Sequence, residues 1–550
     1  MITGFAGEQG TTGLATDKLT GKVAITLLVA VFLKLWLLDA HELYVDRTPH
    51  DGLLFALQAY SLLDGNWLGD FNNKTLIKGI GNPLFIAAAY WLGIPLLTAY
   101  QLVYAFACVI VIYAVRPLVR NQLYLVFVFL FLLFNPFSYS YPLMSSTYRG
   151  SLYVSMTLLC LGAMIGLWQR SRYSFFVGAT WALLLSFSFT MLWITREEMI
   201  WIVPVYVCFG LIYVLPWYWN KGSNIPTRLS FFVAPLVLLF LVNSTITTIN
   251  QQYYGVRMVN ELKSKEFVSA LGGLMNIKSN KFRRHTVVSP DAEAKAIKAS
   301  PSLAELEPFL GKTVWPASFY IWKLRGAAAR SGYYDTKNDA KPALDLYKRI
   351  GEEIAVACKS GELDCLDRKP TLRPPWNEEF NDLVIPTFFE LASRAINFNT
   401  FNASSTGYAT DIKRNLYLLY GYVTGEHPER TYSIIQLPGF EKDMREMKEY
   451  VMGRIGKVFR YLVPLLFVVA VLMHVKMFVS DFFAKKLNYK SVFGVILFGG
   501  VLSVLAMLTF VKITLWTVVR PLHVIYPIVL LYIAWILMPI RDNQLEHEEF

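Results

Sequence analysis

Long apolar runs, broken by short clusters of charge, constrain this chain more than any other feature. Stretches near the roughly 20 residues needed to cross about 30 Å of hydrocarbon occur at 22–39, 96–115, 121–135, 150–168, 174–195, 199–218, 229–249, 457–478, 491–512 and 521–540. A water-soluble fold of 550 residues could not hide so much apolar surface: 55% of the chain is hydrophobic and 17% charged, against about 45–50% and about 25% in soluble domains. Disorder, a collagen-type fibre and a disulfide-dense scaffold fail on the same composition. The expected fold is a mainly α integral membrane protein, a bundle of about 10 transmembrane helices in which 121–135 is the weakest span. The piece from Pro83 to Ile94 lies between Gly81-Asn82-Pro83 and Gly93-Ile94-Pro95. It is too short to cross and reads as a re-entrant or interfacial helix.

The net charge of +12 needs no nucleic acid once its placement is read. With the N-terminus inside, the short inner loops carry Lys18 and Lys22, Arg116 and Arg120, Arg170 and Arg172, Lys221 and Arg228, Lys485, Lys486 and Lys490, and Arg541. The short outer loops carry isolated cations: Arg149, Arg196 and Arg520. Cytoplasmic loops hold such an excess of Lys and Arg, so both termini are expected in the cytoplasm. Counting 83–94 as a span would invert every later loop and place the Arg pairs outside. The first helix keeps a Lys-flanked start and lacks a small-residue cleavage site, so it reads as an anchor rather than a removed leader. Lys34, inside that helix, is expected to snorkel outward or to pair within the bundle.

Three blocks follow. Residues 1–249 form an N-terminal membrane block with a polar first outer loop at 40–95, 250–456 an extracytoplasmic domain, and 457–550 a C-terminal membrane block. Apolar spacing of three and four residues predicts helices at 256–275, 291–299, 317–330, 340–360 and 440–455 of the domain. Cys358 and Cys365 flank a Gly-containing turn. In an oxidising compartment they are expected to form a disulfide across a short loop.

Soluble-enzyme motifs are absent: there is no Walker loop, GxGxxG, HExxH, CxxC or GxSxG, and the seven His do not cluster at metal-ligand spacing. Chemistry must come from polar residues at the outer face. The first outer loop is densest, with Asp39, His41, Glu42, Asp46, His50 and Asp51 within thirteen positions of the end of the first helix. Gly65-Asn66-Trp67 follows, then Lys78-Gly79-Ile80-Gly81-Asn82-Pro83-Leu84. Near the C-terminus stands Arg520-Pro521-Leu522-His523-Val524-Ile525-Tyr526-Pro527.

That order resembles the GT-C superfamily of glycosyltransferases, multi-pass enzymes that use polyprenyl-phosphate-linked sugars. Their acidic catalytic residue lies a short way past the first helix, a Gly-x-Trp follows in many members, and a Lys-Pro-Pro-Leu or relative opens a juxtamembrane helix. The Arg520…Pro527 element is similar to the one that opens the last helix in the lipid A aminoarabinose transferase and protein O-mannosyltransferase branches. Thr195-Arg196-Glu197-Glu198 and Tyr333-Tyr334 are similar to a little-characterised bacterial group. The family's acidic pair appears here as His50-Asp51 or Asp51-Gly52, and both registers keep Asp51. A second acid for a divalent cation would have to come from Asp46 or Glu42.

The resemblance implies a bacterial inner-membrane glycosyltransferase with an extracytoplasmic site. It would move a monosaccharide from a polyprenyl-phosphate donor to a hydroxyl of a glycan, lipid or protein acceptor, with inversion. Such a step needs a carboxylate to take the acceptor's proton and fixed cations for the departing phosphate. Asp51, with His50 and Asp46, is the candidate base. Lys78, Arg149, Arg196, Arg520 and His523 are candidate phosphate ligands. Glu42, Glu197 and Glu198 are support, the last two as ion-pair partners of Arg196. For Asp51 the competing role is a helix cap, and for each Arg an interfacial anchor. Rival functions are a transporter or lipid flippase, an O-antigen-type ligase or polymerase, and a non-catalytic assembly subunit.

Overall fold

The computed structural model describes residues 19–45, 51–119, 121–171, 173–196, 198–219, 225–279, 283–311, 317–398, 400–404, 413–428, 439–484, 488–515 and 520–539. Among these residues the chain is helical, with isolated β-bridges and no strand. It is a mainly α, multi-pass membrane protein. Seven of the described helices are long and apolar enough to cross a bilayer: Gly21–Leu38, Leu96–Leu118, Gly150–Arg170, Phe175–Thr195, Ile225–Tyr254, Gly439–Ala484 and Tyr489–Thr514. The other three expected runs are helical as Gln122–Leu133, Ile202–Trp219 and Ile525–Leu537. The first and last hold only 12 and 13 residues, about 18–20 Å at 1.5 Å per residue, which is less than the hydrocarbon layer. Gln122–Leu133 stops because Pro136 cannot extend it, and Asn135 caps a 3-10 turn there instead. The short piece before Ile94 is the helix Gly81–Trp91.

Gly150–Arg170 is buried along its whole length and packs against Leu96–Val115 and Phe175–Thr195. Small residues make that position available. A Cβ at Gly162 would stand 2.9 Å from Val111 Cγ2, and one at Gly166 would overlap the Trp181 ring. Peripheral helices do the opposite: Gly21–Leu38 and Ile225–Tyr254 turn side chains such as Phe32 and Phe240 outward, a surface that lipid covers.

The polar block carries a second core, in which Lys265–Asn276 lies along Lys341–Ser360. Two expected helices differ. The one predicted at 256–275 begins only at Lys265. Gly255, at φ +70°, ends the preceding helix, and Asn260 and Ser264 then cap a 3-10 turn and the next helix in succession. The segment 440–455 is not a separate helix but the first part of the 46-residue helix Gly439–Ala484. No residue between them breaks it, and at Gly456 the Phe401 ring packs where a Cβ would stand. Its length of about 69 Å is more than twice the hydrocarbon thickness, so its N-terminal half projects beyond the membrane. Two further helices, Asn381–Asn397 and Arg414–Thr424, carry no clear sequence signal. The first lies against the membrane helices Tyr489–Thr514 and Gly439–Ala484, and Lys512 Nζ donates to Glu390 Oε2 at 2.5 Å.

Cys358 and Cys365 are bonded, with Cα atoms 5.6 Å apart. Gly361, at φ +81°, makes the turn between them. Cys108 and Cys160 are free and buried, and Cys208 is free and exposed. Denatured, unreduced protein should therefore take three alkyl groups by mass spectrometry, and reduced protein five. Replacing both Cys358 and Cys365 by Ser should lower stability by about 2–3 kcal/mol, the loop-closure contribution of so short a loop. Five groups without reductant would refute the bond.

Candidate functional site

The helix Gly52–Leu63 starts at Asp51, whose side chain makes no capping hydrogen bond. Its Oδ1 instead stands 3.9 Å from Lys78 Nζ, with both side chains about a quarter exposed. The cap reading of Asp51 therefore lacks its defining contact.

Lys78 reaches this position through a loop that other parts of the chain fasten. Trp67, in the Gly-x-Trp, donates its indole N–H to Asn250 Oδ1 at 2.7 Å. The polar block then grips the next turn by four main-chain carbonyls. Arg325 Nε donates to Asn73 O at 2.9 Å and Nη2 to Thr75 O at 3.2 Å. The Glu261 amide donates to Leu76 O at 2.7 Å, and Asn260 Nδ2 to Ile77 O at 3.1 Å. Past Lys78, Gly79 and Gly81 press onto the end of Phe175–Thr195: a Cβ at 79 would overlap the Ile194 carbonyl, and one at 81 the Thr195 hydroxyl. Lys78 is thus set between a clamped turn and a glycine contact that admits no side chain.

That same helix end runs into Arg196 and Glu198. Arg196 Nε lies 3.3 Å and Arg149 Nη2 4.0 Å from Glu198 Oε2. Arg149 Nη1 also donates to Thr195 O at 3.1 Å. Both guanidinium groups are buried, Arg196 over the Tyr153 ring at 4.9 Å. Arg196 Nη1 is buried with no hydrogen-bond partner among the described residues. Thr147 ties the two halves together, its hydroxyl donating to Gly52 O at 2.8 Å while its carbonyl accepts from Asn82 Nδ2 at 2.7 Å. Burial disfavours the Glu198 carboxylate, but Arg196, Arg149 and Lys78 outweigh it and hold the group well below the usual carboxylate range. Among the described residues, three cations stand against two carboxylates in this cluster.

The other candidates are placed differently. Glu42 pairs with Arg445 at 3.0 Å, on the wall of a separate cavity. His523 is buried and stacks on Phe137, which stacks on Tyr526. Asp46, His50 and Glu197 lie outside the described residues, as does the Arg520 side chain, although the backbone of Arg520–Val524 is a 3-10 turn. Lys34 is buried and donates to Ser138 Oγ at 2.9 Å, beneath the Tyr104 ring. Among the described residues no three His, Cys, Asp or Glu side chains gather to hold a metal, and a lone carboxylate facing a lysine is a poor cation ligand.

Sequence reasoning missed Arg325, Glu261 and the cavity beside Glu42. A cation in a soluble-looking helix gives no sign of burial.

No family model matches this sequence, and no curated protein sequence matches it. Among solved structures, the chain is similar to ArnT from Cupriavidus metallidurans in the apo state. That match has 13% identity, a TM-score of 0.32, and coverage of 94% of this chain and 78% of that one. The same protein bound to undecaprenyl phosphate matches at 11% identity and a TM-score of 0.27, with the same coverage.

Because its folded pKa is depressed, Glu198 contributes stability that is present above the ordinary value of 4.5 and is lost as pH falls through the folded value. Glu198→Gln should therefore unfold at a lower temperature than the parent at pH 7, with the gap closing below about pH 4.5. Thermal midpoints across pH in one detergent measure this. A gap that widens in acid would contradict it.

Proposed function

We propose that the chain is a membrane glycosyltransferase that moves a monosaccharide from a polyprenyl-phosphate donor to an acceptor hydroxyl. The observation that carries this reading is the pairing of Asp51, which does not cap its helix, with a cation cluster at the same helix ends, where Arg196 Nη1 is buried with no hydrogen-bond partner among the described residues. The motif order read from the sequence supports the same chemistry.

In this reading the acceptor oxygen attacks the anomeric carbon while Asp51 takes its proton. The bond between that carbon and the phosphate oxygen breaks, the electron pair leaves with the phosphate, and the anomeric configuration inverts. Charge growing on the phosphate meets Lys78, Arg149 and Arg196, held in place before the reaction starts. The 3.9 Å ion pair between Lys78 and Asp51 is looser than a hydrogen bond, so a hydroxyl can approach the carboxylate beside it. Arg520, His523, His50 and Asp46 belong to the proposal as further donor contacts and acids, and Glu197 as a partner of Arg196.

The charge layout supports an extracytoplasmic site in a bacterial plasma membrane. Arg116 and Arg170 end the helices Leu96–Val115 and Gly150–Arg170, while Asp51, Lys78 and Arg149 cluster at the opposite end. The Arg-rich end is the cytoplasmic one by the positive-inside rule. The large polar block and the acceptor then share the outer side.

Purified protein in liposomes, given a panel of polyprenyl-phosphate monosaccharides, should release polyprenyl phosphate from at least one when an acceptor extract is supplied. Asp51→Asn should fold and bind donor but turn over about 10²–10⁴ times more slowly. Lys78→Met should weaken donor binding. A folded Asp51→Asn variant with full activity would remove Asp51 from the mechanism.

A further inference from the structure

A cavity of about 810 Å³ lies between the end of the first helix, the start of Leu96–Val115, the segment 139–145 and the start of Gly439–Ala484. That is large within the roughly 300–1,000 Å³ of small-molecule sites. We propose that it holds the neutral, hydroxyl-rich headgroup of an amphiphilic acceptor; this rests on the glycosyltransferase reading and gives its acceptor a chemical class.

The walls show both halves of such a ligand. Leu35, Leu38 and Leu97 line the cavity on the side of the membrane helices, and Asp39, Glu42 and Glu441 line it elsewhere. Its two cations are already engaged: Arg445 with Glu42 at 3.0 Å and Lys448 with Asp39 at 3.0 Å. His41 adds no charge. Burial lowers its pKa, and its ring nitrogens meet Ala403 O at 2.8 Å and Ser145 Oγ at 3.1 Å. Burial pushes Glu426 up to about 7 although it accepts from the Leu97 amide; even leaving it out, carboxylates outnumber cations among the described lining residues. A phosphorylated headgroup would be repelled, whereas sugar hydroxyls would find acceptors.

The wall on this side is fixed from behind. Gln101, which lines the cavity, donates from Nε2 to Ser138 O at 2.9 Å, and its Oε1, like Tyr139 OH, is closed off from the cavity's open space.

Position links the cavity to the chemistry. Ser145 lines it, and Arg149 of the ionic cluster is four residues on, at most about 14 Å of chain. Between them Thr147 bonds the carbonyl of Gly52, next to Asp51. A headgroup seated here can present one hydroxyl to Asp51.

The test uses the full chain in nanodiscs and two probes, a diacylglycerol-linked neutral disaccharide and the same lipid phosphorylated on the sugar. The neutral probe should bind, the phosphorylated one at least tenfold more weakly; Glu441→Gln should narrow that gap to about threefold or less, and Thr98→Trp, which fills the cavity, should weaken the neutral probe by about fivefold or more. Polyprenyl-phosphate binding, measured in parallel, should not change in either variant. Equal binding of the two probes, or unchanged binding in both folded variants, would overturn the proposal. Loss of activity assignment at Asp51 with the probe pattern intact would sink only the transferase reading and leave the cavity as a neutral glycolipid site.

Discussion

The buried ion pair of Glu261 and Arg325 is the contact on which the arrangement of the ionic cluster depends. Both side chains are almost wholly excluded from solvent, where breaking such a pair costs about 3–5 kcal/mol because one charge is left uncompensated. Arg325 spends its remaining donors on Asn73 O and Thr75 O, and the Glu261 amide takes Leu76 O. Tyr334 adds a hydrogen bond to Glu261 Oε1 at 2.6 Å and meets Tyr347 OH at 3.0 Å. One charge pair in the polar block therefore sets the path of a loop that has no regular structure of its own. Lys78 inherits its position from that path.

The membrane helices were legible because burial in lipid demands continuous apolar runs and satisfied backbones. The positions of the runs survived even where their lengths did not, as at Gln122–Leu133. Cys358 and Cys365 were legible because the six residues between them, one a glycine, leave few other geometries. Asp51 and Lys78 could be named from their order along the chain, but nothing local shows that Asp51 leaves its helix uncapped. Arg325 and Gln101 were invisible for the same reason as each other. Their significance lies in what folding brings against them, from residues 250 and 37 positions away.

Misread elements share a cause of a different kind. The sequence pattern changes from charged at 440–455 to apolar at 457–478, which reads as two elements, yet one helix runs through both. A helix does not end where its environment changes. It ends where its backbone is capped or redirected, and Gly439–Ala484 runs through Gly453, Gly456 and Pro464 without a break. The reverse holds at 256–264, where apolar spacing continues but Gly255 and Asn260 redirect the chain.

Two neighbouring regions of one face thus carry opposite electrostatic character, and the fold keeps them apart with a short piece of chain. The cluster around Lys78, Arg149 and Arg196 holds more cations than carboxylates among the described residues, with its guanidinium groups buried against Tyr153 and the Thr195 carbonyl. The cavity around Asp39, Glu42 and Glu441 holds its cations in pairs and leaves carboxylates in excess. At the few ångströms separating charges within each region, interactions are weakly screened by salt, so each region selects by charge locally. An anionic donor headgroup entering the cavity, or a neutral headgroup in the cation cluster, would lose the complementarity found in the other. Under the proposed reaction that difference assigns the two substrates to different regions, with Asp51 as the carboxylate proposed to take the proton.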